Sequence, residues 1–311
     1  MRAIFIGGSG RNGTTLLGAM LGAHKECLTT PESQFKIEAL RLEGGTHRDI
    51  AWNRIYKHWK FRVWGMHLDP SVVPKREIGE SYRSMLEWCV TRYGEHVGKR
   101  DFSVWVDHTP SNIRYLSTLL TIFPEAKAIH MVRDGRGVAA SFIPRDRGAN
   151  TVVGAAHLWV KDVSYGLAAE SAFGRDRIVR VRYEDLVTSP EEVLKGLCSW
   201  LGIDYEPEMA KAGGFRPPTD LGKYHPLIGK EPDRERASAW EWELTPRQIE
   251  VFERHTAEFL PYLGYELKYG LRARGTNTGE IIRFLVVECC MGVVNKIRLI
   301  CRIRKIVKRS A

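Results

Sequence analysis

AIFIGGSGRNGTTLLGAMLGAH, residues 3–24, is the stretch whose reading decides the fold. Residues 3–6 are a short apolar run rich in strand formers. Gly7, Gly8, Gly10 and Gly13 then give a loop with little side-chain bulk. From Thr14 the apolar period becomes helical, with Leu16, Leu17, Met20 and Leu21 at three- and four-residue steps. Strand, glycine loop and helix in that order make an anion trap: glycine lets backbone N–H groups approach, and the helix start adds unpaired donors and partial positive charge. The Thr14 and Thr15 hydroxyls stand at the helix start, and Arg11 supplies a forked full charge.

Three readings of the loop compete. As a dinucleotide-binding turn, Gly8-x-Gly10-x-x-Gly13 fits, with Glu32 about where a ribose-binding carboxylate belongs. As a Walker loop, Gly8-x-x-x-x-Gly13 fits, but Thr14 occupies the position that needs Lys, which counts against an ATPase or kinase. The third is a phosphosulfate loop, with Arg11 as cation and Gly13, Thr14 and Thr15 as cradle. The glycine pattern does not choose among them.

Composition sets the bounds. A chain of 311 residues with 43% apolar and 27% charged residues can bury one large α/β core or two smaller ones. The first strand begins almost at residue 1, which predicts no signal segment, and no stretch approaches the apolar length of a spanning helix. The net charge of +10 belongs mostly to the tail: residues 272–311 hold ten Lys/Arg against two Glu, leaving +2 for residues 1–271. Nucleic-acid binding by the body is therefore not expected. Six cysteines at 27, 89, 198, 289, 290 and 301 show no CxxC and no zinc spacing. This predicts reduced thiols, no metal site and a cytoplasmic protein.

Along the chain, residues 27–30 read as a second strand and 33–41 as a helix, which puts Glu32 at a strand-to-helix edge beside the glycine loop. A carboxylate there is a candidate general base; a solvated helix-start Glu is the plainer alternative. Residues 44–80 are an aromatic, basic insertion in which Trp52, Tyr56 and Trp59 share a predicted helical face. It reads as packing or as a lid for an acceptor. A helix over 81–94 precedes the strand in SVWVDHTP (103–110), and another covers 113–123. KAIHMVRD (127–134) is the next strand. Its continuation, VRDGRGVAAS, makes a second strand–turn–helix anion site with Arg133 at the strand end, Ser141 in the helix, and Arg136 and Arg145 nearby. Two cationic strand ends suit a ligand with two separated phosphate-like groups, which weakens the dinucleotide reading. A helix over 154–172 and a strand over 178–186, with Tyr183 near its end, follow. Ser189-Pro190 and Thr245-Pro246 each predict a capped helix start, the second helix ending near residue 263. Residues 205–240 read as a loop, either inert or folding over a ligand. The tail after Gly270 follows a helical apolar step with basic residues at its end, which fits an interfacial helix on an anionic membrane, a docked helix or a frayed end.

These residues resemble the sulfotransferases that use 3′-phosphoadenosine 5′-phosphosulfate (PAPS), in particular the branch containing tyrosylprotein sulfotransferases and bacterial homologues. GGSGRNGTTLL is similar to that family's 5′-phosphosulfate loop and MVRDGRGVAAS to its 3′-phosphate motif; RYEDL, LGI, and a Trp before a Leu-Thr-Pro helix continue the likeness over about residues 3–267. The resemblance implies that Arg11, Asn12, Gly13, Thr14 and Thr15 hold the phosphosulfate, that Arg133, Ser141 and Arg145 hold the 3′-phosphate, and that Tyr183 lies against the adenine. It implies Glu32 as the base. His108, in VDHTP, stands where the family commonly has a Lys that assists the leaving group, so that role falls to His108, Lys230 or another residue. The relatives of the secretory pathway carry an N-terminal anchor, which is not expected here, so a peptide-tyrosine acceptor is not implied.

The expectation is thus an α/β domain over 1–270, with about five parallel strands in the P-loop nucleotide-kinase-like sulfotransferase form, and a basic amphipathic tail over 271–311. It transfers a sulfuryl group to a carbohydrate, lipid or phenol hydroxyl without a metal, in the cytoplasm, with peripheral contact at the inner membrane face. The competing readings are a nucleotide kinase or other P-loop NTPase, for which Asp107 would be the Walker-B carboxylate, and an inactive membrane-associated binding module.

Overall fold

A computed structural model describes residues 1–40, 48–66, 68, 81–145, 148–218 and 229–309. In chain order the elements are β1 (Arg2–Gly8), α1 (Thr14–Gly22), β2 (Cys27–Thr30), α2 (Phe35–Glu38), α3 (Arg48–Lys57), α4 (Trp59–Arg62) and α5 (Tyr82–Val97). There follow β3 (Val104–Asp107), α6 (Leu116–Ile122), β4 (Lys127–Val132), α7 (Gly135–Phe142), α8 (Val152–Phe173), β5 (Ile178–Arg182), α9 (Tyr183–Thr188) and α10 (Pro190–Leu201). The last are α11 (Trp240–Glu243), α12 (Pro246–Thr256), α13 (Phe259–Tyr262) and α14 (Thr278–Arg309).

The five strands form one parallel sheet in the order β2-β3-β1-β4-β5. Alternation along β1 sends Ala3 and Phe5 to one face and Ile4 and Ile6 to the other. Phe5 packs edge-on against Trp105 and Phe123 beneath α5 and α6. Ile4 and Ile6 pack with Leu17, Met20 and Leu21 of α1 and Leu194, Leu197 and Leu201 of α10. Burial on both faces explains why the strands are short, continuous apolar runs. The chain leaves β1 toward β2 on one side and β4 toward β5 on the other, so β1 and β4 flank the topological switch point, where ligands bind in such sheets.

Several predicted boundaries shift. β5 stops at Arg182 instead of running through 186, because its partner β4 ends at Val132, opposite Arg182. Tyr183, Glu184 and Asp185 therefore begin α9. Ser189 makes no side-chain cap: its backbone N–H closes α9 on the Asp185 carbonyl while its own carbonyl receives the Val193 N–H of α10. Thr245 does form a full capping box with Gln248. The helix it opens ends at Thr256, short of 263, and α13 is separate; Pro261 has no N–H with which to continue the ladder. The segment predicted as helix from 113 begins instead as a 3₁₀ turn over Pro110–Tyr115. The helix expected over 33–41 is confined to α2, and Arg41 lies outside the described residues.

The aromatic insertion is corrected in a similar way, as far as 48–66 and 68 show it. Trp59 does not share a face with Trp52 and Tyr56, because His58 breaks the helix and caps α4 by accepting from the Lys60 N–H. Trp52, Phe61 and Trp64 are core, packed around Phe35, Trp88 and Tyr93. The rest of 44–80 lies outside the described residues.

Candidate active site

The carboxyl ends of β1 and β4 meet over the glycine loop. Gly8 has φ 147°, and a Cβ there would stand 2.1 Å from Asn12 Nδ2 and 2.3 Å from the Met131 carbonyl oxygen. Gly13 has φ 95°, and a Cβ there would strike the Tyr183 ring at 2.6 Å. Both positions therefore demand glycine. Asn12 Nδ2 donates to the Met131 carbonyl at 2.6 Å and so ties the loop to β4. Arg11 adopts φ 68°, a costly conformation for a residue with a Cβ. Its Nε donates to Ser141 Oγ at 3.0 Å, across the switch point. No side chain caps α1, and Thr14 and Thr15 are buried at its start.

Arg133 leaves the end of β4 and donates from Nη1 to the Arg11 carbonyl at 3.0 Å and from Nη2 to the Arg236 carbonyl at 2.8 Å. Its guanidinium lies 4.3 Å from the Tyr183 ring centre, and its buried Nε has no partner among the described residues. Arg145 Nε donates to the Ser141 carbonyl at 2.9 Å. Beside them lies a cavity of about 630 Å³ lined by Ser141, Arg145, Arg236, Leu244 and Gln248. Arg11, Asn12, Gly13, Arg133, Ser141, Arg145 and Tyr183 are thus gathered in one place. Arg136 is not among them. It is buried between Asp134 (2.7 Å) and Glu253 (2.6 Å), with its guanidinium 3.8 Å from the Trp240 ring centre, and serves as structure.

On the other side of β1, Glu32 follows the end of β2. Its Oε2 accepts from Lys60 Nζ at 2.5 Å and from Gln34 Nε2 at 2.9 Å. Burial alone would raise this carboxyl; the Lys60 ammonium beside it, with the hydrogen bonds from Gln34 and Lys60, holds it well below the usual carboxylate range. His108 is buried against Phe215 (ring centres 5.0 Å apart), with neither ring nitrogen paired among the described residues. Burial pushes its pKa down against the pull of Glu32 and Asp107, so the neutral imidazole is favoured. Asp107, fully enclosed at the end of β3, is committed to Lys36 (2.9 Å), Ser33, the Thr109 N–H and Asn112. Lys230 lies exposed at the surface.

Donor chemistry tests what this place can hold. The set is strongly cationic, the helix start has no side-chain cap, and the Arg133 Nε, Ser9 Oγ and both His108 nitrogens are buried without a partner among the described residues. The donors among these atoms and the cations around them suit an anionic ligand such as PAPS. Two contributors escaped the reading of the chain. Arg236 was one cation among several in a loop, and it is its backbone carbonyl that holds Arg133. Lys60 was one of four basic residues among aromatics, with no spacing signal linking it to Glu32.

Comparison with known proteins follows the same lines. A family model described as "Sulfotransferase family" matches residues 3–207. The chain is 26% identical over 278 residues to protein-tyrosine sulfotransferase 2 of Gallus gallus, covering 86% of this chain and 70% of that protein. It is 29% identical over 228 residues to protein-tyrosine sulfotransferase 1 of Danio rerio, covering 69% of this chain and 59% of that protein. Among solved structures, the sulfotransferase domain of the Synechococcus PCC 7002 olefin synthase superposes with a TM-score of 0.59 at 23% identity, over 86% of this chain and 95% of that one. The sulfotransferase domain of the curacin biosynthetic pathway gives 0.55 at 21% identity, over 86% and 99%. The two structures share the fold.

Proposed function

Because the chain belongs to the sulfotransferase family, we propose that it moves a sulfuryl group from PAPS to an acceptor hydroxyl, with Glu32 as general base. The carrying observation is the bridge between two cationic strand ends. Arg11 of the first bonds Ser141 of the second, and Arg133 of the second bonds back to Arg11. A ligand with two separated anionic groups spans such a pair of sites.

When bound, PAPS supplies the sulfuryl group and a bisphosphate leaving group. Arg11, Asn12, the loop N–H groups and the start of α1 hold the phosphosulfate end, while Arg133, Ser141 and Arg145 hold the 3′-phosphate. Tyr183 supports both from below, against Gly13 and Arg133. Glu32 takes the acceptor proton. His108, as a neutral imidazole, has one N–H to donate toward developing charge. Transfer of this kind asks the protein mainly for positioning and fixed charge. The engagement of Asp107 with Lys36 speaks against a Walker-B role.

The acceptor is a carbohydrate, lipid or phenol hydroxyl. The tail favours one at an anionic lipid surface. α14 leaves Ile281, Leu285, Val293, Ile297 and Ile300 exposed, together with the basic Arg283, Lys296, Arg298, Arg304 and Lys305. Among the described residues no helix is long and apolar enough to cross a membrane.

A panel of hydroxyl acceptors with labelled PAPS tests the reaction. Glu32→Gln is expected to lose about 10²–10⁴ in rate and to keep its affinity for the 3′,5′-bisphosphate. Arg133→Ala is expected to weaken that affinity about 10-fold or more, as for loss of a charge-assisted bond. Full activity of Glu32→Gln removes Glu32 as the base. Magnesium-dependent ATP turnover without sulfuryl transfer favours the nucleotide-kinase reading.

A further inference from the structure

Glu32 is held from one side only. Lys60 Nζ and Gln34 Nε2 both bond Oε2, and no hydrogen bond among the described residues reaches Oε1. Lys60 is itself held. Its side chain is 7% exposed, its backbone N–H is fixed by the His58 ring at 3.1 Å, and its ammonium lies 4.8 Å from the Trp59 ring centre. Phe61, on the same short helix, packs edge-on against Phe35 at 5.2 Å, and Trp64 does so at 5.4 Å. Phe35 follows Glu32 by three residues. The helix carrying the ammonium and the segment carrying the carboxylate are therefore locked through one aromatic cluster.

A buried ion pair is weak evidence for stability, since desolvation cancels much of its attraction; fixing a position is a better-attested use. The groups facing the Glu32 carboxylate are the Lys60 ammonium, the Gln34 amide, the neutral His108 ring and, further off, Lys36, whose charge is already matched by Asp107. Lys60 is thus the full positive charge that decides both the ionisation and the aim of Glu32.

We propose that Lys60 is a positioning residue for the base: with Gln34 it clamps Oε2 and presents Oε1 to the acceptor hydroxyl. This rests on the sulfotransferase reading above. In the step, the acceptor O–H bond breaks and its proton passes to Oε1, the oxygen's freed pair forms the bond to the sulfuryl sulfur, the bond from that sulfur to the phosphate oxygen breaks to release the bisphosphate, and Lys60 keeps its own protons throughout. The ion pair makes the carboxylate a weaker base, and in exchange keeps it ionised and aimed where burial alone would protonate it.

The experiment uses the full chain as Lys60→Met and Lys60→Arg. Lys60→Met is expected to lower kcat about 10²-fold, the scale of a misplaced reacting group. It is expected to move the acid limb of kcat/KM upward by about one pH unit or more and to leave bisphosphate affinity by calorimetry unchanged. Lys60→Arg, which keeps the charge, is expected to restore the limb and guards against a folding failure. The ¹³C carboxyl resonance of Glu32, assigned by its loss in Glu32→Gln, is expected to titrate at higher pH in Lys60→Met than in the wild type without any ligand. An unmoved limb and an unmoved Glu32 titration overturn the proposal. Wild-type protein that transfers no sulfuryl group overturns the functional reading instead, and the ligand-free titration still decides whether Lys60 sets the charge of Glu32.

Discussion

Asp107 shows how a single residue acquires its role from neighbours distant in sequence. Its carboxylate, with the Lys36 ammonium 2.9 Å away and bonds from Ser33, the Thr109 N–H and Asn112, ties β3 to the segment after β2 and to the turn before α6. Burial alone would raise its pKa; Lys36 and those bonds lower it from 3.8 to about 2. The folded state therefore holds the proton less tightly than the unfolded chain. The stabilisation is complete above the unfolded value and is lost as pH falls toward about 2. Asp107→Asn is expected to cost about 3–5 kcal/mol at neutral pH, because it strands a buried Lys36. The gap between wild type and variant should shrink in thermal melts taken from pH 4 down to pH 2. A gap independent of pH would show that the pair does not titrate with folding. Arg11 was legible from the chain because a cation inside a glycine loop has few other uses. Lys60 was not, because nothing local connects residue 60 to residue 32.

At the scale of elements, two Ser/Thr-Pro helix starts look alike in sequence and behave differently. Thr245 and Gln248 complete a reciprocal capping box at the start of α12. Ser189 is exposed in the joint between α9 and α10, and its side chain bonds neither helix. Thr245→Ala is expected to cost about 1 kcal/mol in denaturant unfolding, and Ser189→Ala less than about 0.5 kcal/mol. Equal costs would contradict the geometry. The order of strands and helices was readable because apolar period changes at each boundary. The true end of β5 depended on where β4 stops, and the break after Trp52 and Tyr56 depended on the His58 cap.

In the whole molecule, α14 is docked along one face and open along the other. Glu288 Oε1 accepts from the Asn150 and Thr151 N–H groups at 3.1 and 2.8 Å, and from the Thr151 hydroxyl at 2.7 Å, at the start of α8. Arg247 pairs with Glu280 at 2.8 Å, and Ile306 packs with Val63 and Trp59 beside Lys60. The far end of the tail thus rests on the element whose Lys60 bonds Glu32. Leu285→Glu with Ile297→Glu, both exposed, is expected to weaken sedimentation with anionic vesicles by about 10²-fold or more, from the apolar area withdrawn, without changing the melting midpoint. Undiminished binding would remove the lipid surface as occupant of that face. The sequence by itself determined the α/β class, the glycine loop, the second cationic strand end and the family, since each is written in contiguous residues whose period and chemistry are local. Only the tertiary structure decided that Arg136 is structural, that Asp107 belongs to Lys36, and that Lys60 meets Glu32. Those outcomes depend on which side chains the sheet order and helix packing bring within bonding distance, and a buried charge takes whatever partner the fold delivers.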